Sequence, residues 1–160
     1  MTELPVFHSL RGGAVEAIRA ADLEVKTALA QETARRWQRR TLSLRSPLDR
    51  PVPVRPGRPD KPVLTPPTQV KRRSLGSLKG RIALLHSIAH IELNAVDLAL
   101  DIVARFATEP VPNSFFDGWM RVAFEEIFKR IPRFALQDGA VLHAHGGQTR
   151  SLATLPLRLV

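Results

Sequence analysis

The sequence predicts an all-α protein, a partial helical bundle carrying a proline-rich extended arm, and three observations predict it. Two long segments, about Leu78 to Ala107 and Ser114 to Lys129, repeat apolar residues every three or four positions without a proline. A third, from Ala14 to about Arg40, is dominated by alanine, leucine, glutamate and arginine, which is helix composition. Most of the chain's 13 prolines crowd between Ser46 and Pro67, where regular helix and central strand are both excluded and polyproline-type chain is the natural state.

Residues 1–13, MTELPVFHSLRGG, read as a leader closed by Gly12-Gly13. They lack the basic start and apolar core of a signal peptide, so a cytoplasmic protein is expected. In the next unit, 14–45, Ala14, Ile18, Ala21, Val25, Leu29 and Ala30 form a modest apolar stripe that predicts one N-terminal helix. Residues 46–73 form the basic, proline-rich arm, in which Val52, Val54, Val63 and Leu64 are available to dock it on its own domain; a free linker is the alternative. Ser74 or Ser77 is placed to cap the long helix that follows, and Asn113 or Ser114 the next one. The long helix is apolar around most of its circumference and is expected to be central. Pro110 and Pro112 end it, and the short connection predicts that the two helices, within 74–132, pack antiparallel. Residues 133–160 hold no sustained period and are expected to be poorly ordered.

The net charge of +9 would draw the chain to polyanions, but its basic residues gather at Arg35, Arg36, Arg39 and Arg40 and at Lys71, Arg72 and Arg73 with no aromatic side chains interleaved. That pattern argues against nucleic acid as the main partner. The most apolar stretch, Ile82 to Phe106, is interrupted by His86, His90, Glu92, Asp97 and Asp101, so no membrane span is expected. With no cysteine in the chain, any metal must rest on histidine and carboxylate.

The stretch 86–101, HSIAHIELNAVDLALD, carries the candidate chemistry. His86 and His90 lie four apart and share a helix face, a spacing at which two imidazoles can hold one divalent ion. Glu92 lies about 200 degrees round from His90, on an apolar stripe with Ile88, Ala89 and Val96, and a carboxylate there needs a partner. The following helix carries RVAFEEIFKR, with Glu126 three residues before Lys129. A carboxylate di-metal bundle pairs a Glu on one helix with Glu-x-x-His on the next. Here an ammonium stands where that pattern has imidazole, and an ammonium cannot ligate while protonated.

The run LGSLKGRIALLHSIAHIELNAVDLALDIVARF, followed by FFDGWMRVAFEE, resembles an uncharacterised ferritin-like family whose members share an LLH-x-IAHIEL helix and a W-x-x-VA-x-EE-x-x-HF helix. The arm ending in PPTQVKRRSLGS and the helix before it are similar to that family's N-terminal half, so the likeness covers about 14–130. It implies a ferritin-like bundle and assigns Glu92 and Glu126 as iron or manganese ligands, with His90 as a motif residue that ligates or hydrogen-bonds a ligand. Family members continue with a second helix pair that supplies the other half of the site, and 131–160 do not match it. The resemblance therefore implies a truncated or degenerate member with an incomplete di-iron site. Half a bundle leaves a contiguous apolar surface, which points to association with a second copy or with a partner. A di-iron oxidoreductase completed by a second chain is the alternative.

Overall fold

The computed structural model describes residues 4–60, 74 and 76–129, with side chains to 125, and every regular element among them is a helix. There are four: α1 (Leu10–Arg19), α2 (Leu23–Gln38), α3 (Leu78–Phe106) and α4 (Asn113–Lys129). Each packs on two others, α1 on α2 and α3, and α4 on α3 and α2, so the helices close a four-membered ring. Its core joins Leu10, Ala14, Val15 and Ile18 of α1 to Leu29, Ala30 and Trp37 of α2, Val96, Leu100 and Val103 of α3, and Phe116, Met120 and Ala123 of α4.

The N-terminal segment departs from the single helix expected from Ala14. Ser9 caps a helix that starts at Leu10, its hydroxyl accepting from the Gly12 N–H at 2.8 Å, so Gly12 and Gly13 lie inside α1. They are there because α1 crosses its neighbours closely: a Cβ on Gly13 would run into the Thr33 side chain and the Phe7 ring. The helix then stops at Arg19, and Asp22 caps α2 by accepting from Val25 N–H at 2.9 Å. Aspartate competes for the backbone better as a cap than within a helix, so the break falls where the composition looked continuous.

At its far end α2 closes in a Schellman turn. Arg40 N–H reaches Trp37 O at 2.9 Å and Thr41 N–H reaches Arg36 O at 3.0 Å, with Arg40 at φ 56. A non-glycine residue there costs about 1 kcal/mol. In exchange the Arg40 guanidinium makes two 2.8 Å bonds to the Asp117 carboxylate on α4, which also accepts from Trp37 Nε1 at 2.8 Å. Arg40 also lies over the Trp37 ring, 5.1 Å from its centre. The other arginines of this cluster are largely committed as well: Arg36 donates to Phe7 O at 3.0 Å and covers the Phe7 ring, and Arg35 pairs with Glu32 at 3.1 Å. Part of the charge that suggested a polyanion partner holds α2 to its surroundings. Lys71, Arg72 and Arg73 lie outside the described residues.

Of the two expectations for the arm, docking holds for its described part. Just before it, the Ser43 and Leu44 carbonyls accept from Leu10 and Arg11 N–H at 2.8 and 3.0 Å, and Val52 of the arm packs on the core. Gly57 N–H donates to Ile18 O at 2.8 Å, one of the carbonyls left open at the end of α1. A Cβ at this position would overlap the Arg19 and Ala20 backbone, so only glycine allows so close an approach. Val54 stays 94% exposed, while Val63 and Leu64 lie outside the described residues.

The long helix α3 is central only over its second half. Its 29 residues extend about 43 Å, against about 25 Å for the 17 residues of α4, the longest of its neighbours. From Arg81 to Ile91 no residue is buried; from Glu92 to Ala107 the buried positions recur every three or four residues. The tail expected beyond residue 132 lies outside the described residues.

Candidate functional site along the central helix

Two faces of α3 carry the polar residues singled out above, and the structure keeps them apart. One face presents His90, Asn94 and Asp97 to the arm and to α2. Asp97 is 3% exposed and Lys26 of α2 is fully buried, with Lys26 Nζ 2.9 Å from Asp97 Oδ1. The same ammonium donates to Ala17 O at 3.0 Å and to Ile18 O at 2.9 Å. All three protons are thereby used, two of them capping the end of α1. Burial pulls the Lys26 ammonium below its ordinary value, and Asp97 opposes that pull.

Arg58 of the arm ion-pairs with the other Asp97 oxygen and donates to Asn94 Oδ1 at 2.8 Å. With its oxygen turned to Arg58, the Asn94 amide presents its NH2 group to His90 Nδ1 at 3.1 Å. Nδ1 is then the acceptor, and the ring is neutral with its proton on Nε2. That nitrogen is buried without a hydrogen-bond partner among the described residues. Burial first, then the neighbouring Arg58 charge and His86, hold the His90 imidazole below its ordinary value. A relay thus runs His90, Asn94, Arg58, Asp97, Lys26, and joins three separate parts of the chain.

Glu92 lies on the other face, 8% exposed, one turn from buried Val96 and in line with Ala99 and Val103. His90 and Glu92 therefore do not converge, as their angular separation on the helix requires. Residue 126 is in the last turns of α4, but its side chain and that of Lys129 lie outside the described residues.

Among the described residues no three histidine or carboxylate side chains gather. His90 as held offers no free lone pair, and a guanidinium stands beside it. The Lys26–Asp97 pair was not among the residues expected to carry the site. Its signal was present: Lys26 shares a helical face with Leu29, Ala30 and Thr33, and Asp97 one with Leu100 and Ala104, so each helix carries one charge of opposite sign in an otherwise apolar stripe.

No solved structure matches the chain. A Haemophilus influenzae protein described as uncharacterized is 45% identical over an alignment of 73 residues that covers 42% of this chain. The matched stretch spans 25% of that relative's length. A family described as a protein of unknown function, DUF455, matches residues 19–129, a stretch that takes in α2, the arm, α3 and α4. The chain belongs to the DUF455 family.

Proposed function

We propose that this chain is a helix-association unit of ferritin-like ancestry, an incomplete bundle that acts by packing the overhanging half of α3 against further helices. The observation that carries it is the exposure of large apolar side chains there: Leu84 at 43%, Ile88 at 38% and Ile91 at 63%, continued by Leu98 at 57%. A contiguous apolar patch of this kind rarely stays bare in water. Light scattering of the purified chain tests it. An assembly larger than one chain supports the proposal, and a monomer at all accessible concentrations overturns it.

The second reading is a di-iron or di-manganese oxidoreductase site completed by another chain, with Glu92 and Glu126 as ligands and His90 in a hydrogen-bonding role. Burial of the Glu92 carboxylate on an apolar seam favours it. The hairpin supports it as well. Phe106 packs on Phe115 with ring centres 5.5 Å apart, and counting back at about 1.5 Å per residue brings the level of residue 126 to within about a turn of residue 92. Iron and manganese analysis after purification without chelator checks this reading. Metal below about a tenth of an equivalent per chain removes it.

A further inference from the structure

The exposed apolar residues of α3, Leu84, Ile88, Ile91 and Leu98, share a spacing with the half-buried Ala95 and Ile102. Leu84, Ile88, Ile91, Ala95, Leu98 and Ile102 follow one another by four, three, four, three and four, the seven-residue repeat of a coiled-coil seam carried through six layers. They do not belong to the buried stripe of Glu92, Val96, Ala99 and Val103, which faces the chain's own core. A strict 3.5-residue period on an outward face is what a second helix reads.

Resting on the association reading, we propose that this seam pairs antiparallel with the same seam of a second copy, about a two-fold axis near residue 93. In that register Leu84 meets Ile102 of the second copy, Ile88 meets its Leu98, and Ile91 meets its Ala95; the other three layers repeat these by symmetry. Every layer is apolar. Ile91, the most exposed of the six, is set against the smallest, so large faces small. Parallel pairing would instead stack Ala95 on Ala95 and leave a void.

Charge favours the same direction. Parallel pairing would set Arg81 against Arg81. The antiparallel register sets Arg81 beside the other helix's Arg105, whose charge is already met by Asp101 at 2.7 Å, and it opposes the two helix dipoles. The area is sufficient for reversible pairing. Covering the four most exposed side chains removes on the order of 400 Å² per chain, and on the order of 1,000 Å² for the pair with Ala95, Ile102 and the flanks included. Stable specific interfaces begin near 1,200 Å², so a weak, reversible pairing is expected.

The chain contains no cysteine, which makes disulfide trapping clean. Light scattering of the full chain between about 1 and 200 μM is expected to show a monomer becoming a dimer. Ile91→Glu is expected to remain monomeric with an unchanged helical circular dichroism spectrum. Leu84→Cys and Ile102→Cys, mixed and air-oxidised, are expected to give a cross-linked dimer. Each alone is expected to give none, because its two copies would be about 27 Å apart along the seam. A monomer at every concentration overturns both this pairing and the association reading. A dimer that cross-links through Leu84→Cys alone, or that does not cross-link in the mixture, overturns the antiparallel register and leaves the association reading standing.

Discussion

Asp97→Ala is the substitution that strikes the structure hardest for the fewest atoms. It leaves the fully buried Lys26 ammonium with two neutral carbonyl acceptors in place of two carbonyls and a carboxylate. It also releases Arg58, and with it the bond to Asn94 that positions the His90 ring. Removing one partner of a buried pair costs about 3–5 kcal/mol, because the remaining charge stays in a medium that cannot solvate it. A domain of this size has about 5–15 kcal/mol in all. With a urea dependence of about 2 kcal/mol/M, the unfolding midpoint followed by circular dichroism at 222 nm should fall by about 2 M. Lys26→Met should cost less, about 1–3 kcal/mol, since it removes the stranded charge together with the two carbonyl bonds. The double variant should then be more stable than the sum of the single losses requires, with a coupling of about 2 kcal/mol or more. A midpoint shift under about 0.5 M for Asp97→Ala, or an additive cycle, would refute the idea that this pair is the charged keystone of the helix ring.

The remaining predictions concern α2, α1 and the arm. Arg40 holds the Asp117 carboxyl below its usual range, with Trp37 assisting. The folded state therefore releases the Asp117 proton more readily than the unfolded chain. The stability it adds is present above the ordinary carboxyl value near 3.8 and is lost as pH falls through the lower folded value. Because the carboxylate is 41% exposed, Asp117→Asn should cost under about 1 kcal/mol at pH 7, and the difference from the parent should shrink in urea titrations as pH falls below the ordinary carboxyl value. Arg40→Gly relieves the positive φ but loses the two Asp117 bonds and the contact with the Trp37 ring; in the Asp117→Asn background the loss is smaller, and the glycine substitution should cost less stability there than in the parent chain. Gly13→Ala drives a methyl into Thr33 and Phe7 and should cost about 1–3 kcal/mol by thermal unfolding. Gly57→Ala should loosen the arm without unfolding the helices, seen as faster proteolysis around Val54 to Arg58 with little change in helical signal.

Much of the fold was legible because helix formation here is local. Leu78 to Phe106 and Asn113 to Lys129 were readable within a residue or two from apolar period, caps and prolines, since each of those signals acts within one or two turns. The α1–α2 break was harder to see. Both sides of Asp22 have helix composition, and what ends α1 is partly remote, with its last carbonyls taken by Lys26 and by Gly57 of the arm. The angular separation of His90 and Glu92 also followed from sequence, because helix geometry alone sets it. That His90 would turn to Asn94 and Arg58 did not, since Arg58 is 32 residues away across the proline-rich stretch.

By itself, then, the order of residues determined the helices, the extended character of the arm, the absence of thiolate chemistry, and the two opposed faces of α3. Only the tertiary structure decided that Lys26 and Asp97 would share one dry site, that the arm would cap α1, and that, among the described residues, Arg81 to Ile91 of α3 would bury no side chain. Periodicity records which side of a helix is apolar, through forces acting over a few residues. Which element arrives to cover that side depends on lengths, crossings and charges that meet only after the chain has closed on itself.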